Sequence, residues 1–475
     1  MSTRKFLHTS GSEESFEMGD HTISSPVYIP EIKGAEGLRA ILDHVDALDE
    51  NNPIMVPAVK WSSLRERNII LTRTNDDGEE IGEAEIADLE ENHPIVYYDP
   101  PELYNYKRTK TLVNYLFKHD EWNKGRFEEA LRESRHSDAL AELPQFTQPF
   151  VHANINRVLE ETNGASKVSE SELEITDPEQ AWTSLEPDHY DDYYEVIAED
   201  ASERPNPVVI PPVPQISQEW NEDLVSEVKT SNQRMAAALS DDENSDPYFH
   251  LYVDCRALDS DSGDSPASKL LRVIEDELEE RDYAGIALTV HRPNRIWQTD
   301  RAARMQTFVD NLSTIGDEQG VPIVSPRSEW FGSFITDLGI QGFSSMLNGA
   351  WEYQRYSSGG GPTGADKYGS TMIPNEARAL KVRSDERQDL EGYLEAEDGL
   401  PDVDDLPSVP PTYDSSADDL QEKFGTSPKF RRTFGKPRRL AHVEEARRFR
   451  EERKEGADNP AREYLRDSKN PYIDL

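Results

Sequence analysis

The sequence predicts an α/β fold: a (β/α)8 TIM-barrel-like core with a helical, acidic insertion and an extended C-terminal tail. Three observations predict it. Short apolar runs rich in β-branched residues recur eight times between residues 27 and 347. Most are continuous rather than alternating, as strands buried on both faces of a parallel sheet are. Helical patterns, with apolar residues three and four apart, fall between several of them. A doubly wound sheet fits the same alternation, so the barrel rests on the number of strands.

In chain order, residues 1–26 read as a disordered leader, polar at its start and without the apolar stretch of a secretion signal. The first strand spans 27–33, and a helix at 35–48 follows with Leu38, Ile41, Leu42, Val45 and Leu48 on one face. The second and third strands fall at 54–60 and 94–99, and a run at 68–74 is a candidate ninth. From 100 to 206 the alternation breaks. Helices are expected at 108–119 and 125–134, and an acidic stretch rich in Tyr and Asp then leads to Pro205. This segment is an insertion on the barrel or a separate small helical domain. Strands resume at 207–213, 248–254, 284–291, 321–325 and 341–347, with helices at 268–280 and 300–315. The tight strand-helix-strand spacing from 284 to 325 is the clearest part of the pattern. The barrel-like domain, 27–384, ends where an acidic linker at 385–428 begins, stiffened by Pro401, Pro407, Pro410 and Pro411. A basic tail, 429–475, follows, with a helix at 442–454.

The 475 residues carry 94 Asp and Glu against 51 Lys and Arg, a net charge of −43. Such a field repels itself in dilute salt, whereas molar salt shortens the Debye length to about 3 Å. The acid is spread along the whole chain and Arg outnumbers Lys, a pattern that reads as haloarchaeal and halophilic. A hydrophobic fraction of 35% and 9% aromatics separate it from an acidic disordered chain. One cysteine, Cys255, excludes an internal disulfide and argues against Cys-based metal sites. Apolar runs fall well short of the ~20 residues of a membrane span. A cytoplasmic protein without membrane association is therefore expected.

The segment Tyr28-Ile29-Pro30-Glu31-Ile32-Lys33-Gly34 is followed by Glu36, Leu38 and Ala40, then by Ile54-Met55-Val56-Pro57. It resembles the start of the "beta protein" family of tailed phages and their bacterial relatives. Those chains open with a Tyr-x-Pro strand, a basic residue, a Glu-Leu-Ala helix and a second strand ending near Pro. Asp99, closing the third strand, matches an aspartate there. The resemblance covers the first ~75 residues of the core, about the length of two βα units. It implies a barrel associated with mobile elements, and it supplies a fold rather than a mechanism.

Barrels place functional residues at the C-terminal ends of strands and in the loops that follow. Those positions hold Glu31, Lys33, Lys60, Trp61, Asp99, Gln215, Asp254, Arg256, His291, Arg292, Arg327, Glu329 and Asn348. Carboxylates, an imidazole and several cations on one rim suit an anionic substrate and proton exchange with it. The candidate catalytic set is Asp254, His291, Arg292, Glu31, Lys33 and Asp99, with Asp254 and His291 ending consecutive strands. The bland alternative is that strands end in polar residues because water begins there. Arg256 and Arg327 are candidate anion contacts, as are Gly359, Gly360 and Gly361, whose backbone amides can approach an anion closely. A Walker pattern fails, because Ala365 follows Gly364. The Asp259 to Asp264 loop misses the calcium-loop glycine and its closing Glu. No zincin motif or nucleophile elbow occurs, and neither a metal nor a cofactor is expected.

In the tail, Arg431, Arg432, Arg438, Arg439, Arg447 and Arg448 interleave with Phe430, Phe434 and Phe449. Arg with aromatics suits phosphates and unstacked bases, but phosphate contacts weaken steeply with salt. Packing on the acidic domain or docking a protein partner fits a high-salt chain better. Three functions follow: a scaffold or interaction protein of a virus or mobile element, a metal-independent barrel enzyme for an anionic small molecule or nucleotide, or a nucleic-acid-associated factor. The first leads, because no catalytic motif is present; no residue pattern decides whether the chain is an enzyme.

Overall fold

The computed structural model describes residues 15–346, apart from 33, 43–50, 66–69, 75–79, 99–102, 104–105, 120–121, 163–166, 169–177, 203–206, 218, 241–244, 259–264, 292–300, 329–334 and 336–338, together with the paired strands Thr371–Asn375 and Arg378–Val382. The expected linker, the basic tail and the glycine run at 359–361 lie outside the described residues.

Eight parallel strands form a closed barrel: β1 (Val27–Glu31), β2 (Ile54–Val56), β3 (Ile95–Tyr98), β4 (Val208–Ile210), β5 (Asp246–Asp254), β6 (Gly285–His291), β7 (Ile323–Ser325) and β8 (Gly342–Met346). Each pairs with the next. The ring closes where β8 pairs with β1, Gly342 opposite Val27 and Met346 opposite Glu31. All eight expected strands are the barrel strands. The candidate ninth is not: Leu71–Thr74 pairs antiparallel with Glu80–Ala84 in a hairpin between β2 and β3. With Arg73, Glu80 and Glu83 in it, that pair cannot be buried on both faces as a barrel strand is. A two-residue strand, Gln215–Ile216, adds to the C-terminal half of β5.

Alternation along the strands divides two cores. Val27, Ile29, Met55, Val96, Tyr98, Val208, Ile210, Tyr248, Ala287 and Val324 fill the interior. Their neighbours, such as Ile54, Val56, Ile95, Val209, Phe249, Leu251, Ile286, Leu288 and Ile323, face the helices. Burial on both faces is why the strands read as unbroken apolar runs. The surrounding helices include Ala35–Leu42, Ala58–Arg65, Glu222–Ala238, Pro266–Glu280 and Arg301–Gln319. Asn221 caps the third through the backbone N–H groups of Asp223 and Leu224, and Ser265 caps the fourth through that of Ser268, with Pro266 at the first position. No helix among the described residues is long and apolar enough to cross a membrane.

The expected leader is partly structured. Ser15–Met18 and His21–Ser24 form a hairpin whose Phe16, Met18 and Ile23 join the interior core, and the Gly19 N–H donates to Asp246 Oδ2 at 2.9 Å. Asp246 opens β5, so the hairpin stoppers the N-terminal end of the barrel. Its short length and polar turn hide the alternating Phe16, Met18 and Ile23.

Between β3 and β4 the chain is helical, from Tyr106–Leu116 through Lys124–Arg132, His136–Ala141, Gln148–Ala153, Ile155–Glu161 and Pro178–Thr183 to Asp191–Ser202. Its inner part shares the barrel's outer core through Phe146, Phe150, Trp182, Tyr190, Tyr193 and Tyr194. Phe146 stacks on Tyr193 at 4.9 Å, and the Tyr190 hydroxyl donates to Glu227 on the helix after β4 at 2.6 Å. The distal part has a core of its own, built on Phe127, Leu131, Leu143, Val151, Ile155 and Leu159.

Gly285 shows how closely the interior is packed. A Cβ there would lie 2.4 Å from the Tyr248 ring and 2.9 Å from the Pro322 carbonyl oxygen. Gly285→Ala is expected to destabilise the fold by about 1–3 kcal/mol. Gly34→Ala, whose Cβ would meet nothing within 4 Å, is expected to be near neutral by comparison. Denaturant midpoints at constant m-value check this, and equal midpoints for the two variants would contradict it.

Candidate functional site

Because every barrel strand runs the same way, all C-terminal strand ends lie on one rim. The barrel interior becomes polar toward that rim. Glu31 ends β1, Tyr98 ends β3, and Ser344 lies within β8, while His250 and Thr289 sit deeper on β5 and β6.

Glu31 and Arg327 meet there. Arg327 follows β7 by two residues, and its Nε donates to both carboxylate oxygens, at 3.0 and 2.8 Å, while Nη2 donates to Oε1 at 2.5 Å. Relative exposure is 1% for Glu31 and 2% for Arg327, so the pair is removed from water. Arg327 adopts φ 51°, in the left-handed region that a side chain occupies only at a cost. Its turn is pinned by β8: the Arg327 N–H donates to Ser344 Oγ at 2.9 Å, and the Ser328 N–H to the Ser344 carbonyl at 3.0 Å. The guanidinium lies over the Tyr98 ring, 5.7 Å from its centroid.

A hydrogen-bonded chain crosses the interior from Tyr98. The Tyr98 hydroxyl is 3.2 Å from Thr289 Oγ1, which is 2.9 Å from His250 Nε2, and His250 Nδ1 is bonded to the Pro211 carbonyl. A carbonyl can only accept, so neutral His250 carries its proton on Nδ1 and Nε2 accepts from Thr289. The Thr289 oxygen then accepts from Tyr98. Burial lowers the His250 pKa to about 4, which keeps the ring neutral and the donor direction fixed at neutral pH. Asn232 clamps the strand from outside, accepting from the His250 N–H at 2.7 Å and donating to its carbonyl at 3.0 Å.

Asp254 and His291 are register partners at the ends of β5 and β6, and both are buried. The Tyr252 hydroxyl lies 3.3 Å from His291 Nδ1, with the two rings edge to face at 6.4 Å. They stand side by side rather than across the mouth from each other.

Lys60 and Arg108 complete the arrangement. Lys60 is half-buried in the first turn of the helix after β2, and Arg108 lies in the first turn of the helix after β3. Burial, followed by the positive fields of Arg108 and Arg327, pushes the Lys60 pKa down. Among the described residues Lys60 forms no ion pair. Lys60 thus lies within the electrostatic reach of two guanidiniums, one of which, Arg327, is paired with the buried Glu31.

The rim expected from sequence is therefore only partly the site. Glu31 and Arg327 touch, and Asp254 and His291 are neighbours. Glu31 is committed to Arg327 through both oxygens, so its place is that of a clamp on Arg327 rather than of an acid or base. Trp61 turns outward, donating from Nε1 to Glu90 at 2.8 Å, because an indole on the outer helix layer packs where a rim position would leave it wet. Gln215 belongs to the short added strand rather than to a rim loop. Arg256 lies in a single helical turn directly after β5, Cys255–Leu258. Lys33, Asp99, Arg292, Glu329, Asn348, the three glycines and the tail arginines lie outside the described residues. Arg108, Tyr98, His250 and Thr289 did not stand out in the sequence; position on the inward phase of a strand was the available signal for the last three. Among the described residues no three His, Cys, Asp or Glu side chains gather as metal ligands. No family model and no curated protein matches the chain.

Breaking the buried pair from one side leaves an uncompensated charge. Glu31→Gln and Arg327→Met are each expected to cost about 3–5 kcal/mol. The double variant should cost clearly less than their sum, and strictly additive losses in denaturation would contradict the coupling.

Proposed function

We propose that the barrel binds an anionic small molecule at its C-terminal mouth and acts on it by proton transfer without a metal. The supporting observation is Lys60, in the first turn of the helix after β2, within the electrostatic reach of Arg108, in the first turn of the helix after β3, and of Arg327, in the turn after β7. A half-buried lysine with a lowered pKa and, among the described residues, no carboxylate partner gains most from an anion, which offsets the positive fields of its neighbours. Asp254 and His291 on the same rim are the acid and base candidates, and Tyr252 holds the imidazole from one side.

A scaffold role for a virus or mobile element is the second reading. What supports it is that Tyr28, Ile29 and Pro30, behind the family resemblance, lie in β1, and Ile54, Met55 and Val56 in β2. A nucleic-acid role would depend on tail residues outside the described structure.

Calorimetric titration of the full chain with inorganic phosphate, in the molar KCl that the acidic composition calls for, separates the readings. Saturable binding is expected, weakened at least tenfold by Lys60→Met or Arg108→Met, since a charge-assisted contact is worth about 1.5–3 kcal/mol. Absence of saturable binding, or binding that ignores both variants, would sink the anion reading and leave the scaffold.

A further inference from the structure

A cavity lies within the helical insertion. It is about 410 Å³ in volume, a size typical of small-molecule sites. Val113, Phe117, Phe127, Val151 and Val158 supply its apolar walls. Phe117 and Phe127 lean together at 5.7 Å with their planes 44° apart, leaving a partly exposed aromatic face.

The polar lining is almost wholly spoken for. The Tyr106 hydroxyl donates to Glu161 Oε2 at 3.1 Å, and Lys110 Nζ donates to the same oxygen. The Lys110 bond holds the Glu161 carboxyl below the usual carboxylate range, so that charge is balanced in place. Arg132 pairs with Glu128 at 3.2 Å, one helical turn away. Thr109 and Thr162 donate their hydroxyls to the backbone carbonyls of Leu103 and Val158.

Lys124 is the exception. Its ammonium donates to Asn114 Oδ1 at 3.0 Å, a neutral acceptor, and among the described residues it has no carboxylate partner. Two of its three N–H donors have capacity left. It is also the first residue of the helix Lys124–Arg132, whose first turn holds no acid. A cation at that end opposes the helix dipole, so its placement is not explained by helix stability. A half-open cavity with an apolar wall, and at its edge a cation without a carboxylate partner among the described residues, suits a ligand with an apolar body and an anionic head.

We propose that this cavity is a second ligand site, taking a small apolar or aromatic monocarboxylate with its carboxylate on Lys124 and its body against Phe117 and Phe127. The site is separate from the barrel mouth, and its helix Tyr106–Leu116 also carries Arg108, so the two sites share one element.

The test uses the full chain in molar KCl with 4-phenylbutyrate as probe and its neutral alcohol, 4-phenylbutanol, as control. Saturable 4-phenylbutyrate binding is expected by calorimetry and by saturation-transfer NMR. Lys124→Met, at an exposed position that does not threaten the fold, should weaken the carboxylate about tenfold and leave the alcohol unchanged. Thr162→Trp, which fills the chamber from its edge, should abolish both while phosphate titration at the mouth stays as in the parent chain. No saturable binding of either probe would overturn the site. Carboxylate binding indifferent to Lys124→Met, or equal loss of both probes in that variant, would overturn the head-group assignment. A failure of phosphate binding at the mouth leaves these outcomes intact, because none of the substituted residues belongs to it.

Discussion

The pairing of β8 with β1 is the constraint on which the rest of the molecule depends. It joins strands more than three hundred residues apart in sequence and turns an open parallel sheet into a ring without edges. The Glu31 and Arg327 side chains reinforce the seam from within, reaching from the end of β1 past β8 to the turn after β7. A closed parallel ring buries both faces of each strand, and the apolar sequences of β2 to β7 meet that demand. Its N-terminal end must also be stoppered, and the hairpin carrying Phe16, Met18 and Ile23 does so.

The chemistry at the opposite end follows from the same closure. Once the strands are parallel and in a ring, the residues that end them share one mouth, however far apart they lie in the chain. On one side Lys60 feels the positive fields of Arg108 and Arg327, the latter paired with Glu31. On the other side Asp254 and His291 end adjacent strands in register. Between the two, the neutral His250, Thr289 and Tyr98 form a directed chain of hydrogen bonds under the Arg327 guanidinium. Such a buried network, with each link's donor and acceptor fixed, holds the mouth in one geometry.

The strands were legible because a strand buried on both faces leaves a continuous apolar run that few other local structures produce. Where burial is one-sided or the element is short, the same reasoning misread the chain. The 68–74 run lost its place because Arg73 and its Glu-bearing partner cannot enter a doubly buried sheet, and the 15–24 hairpin was hidden inside a polar leader. In the insertion, Tyr190, Tyr193 and Tyr194 read as part of an acidic stretch, and their rings are part of the aromatic core that joins the insertion to the barrel. The site was half legible for a related reason. Strand ends are visible in a sequence, so Glu31, Arg327, Asp254 and His291 could be placed on one rim. Partnerships across the ring are not: nothing local says that Glu31 clamps Arg327, 296 positions away, or that the charge of Arg108 in a helix is felt by Lys60.

The most direct test of the anion-binding mouth is the titration of Lys60 itself, followed by NMR after reductive ¹³C-methylation and assigned with Lys60→Arg. An ordinary lysine titrates near 10.4 (about the value in model peptides). Burial and two neighbouring guanidiniums are expected to place Lys60 below that, and inorganic phosphate should raise it by supplying the missing negative charge. A Lys60 that titrates with the surface lysines and does not respond to phosphate would contradict the account.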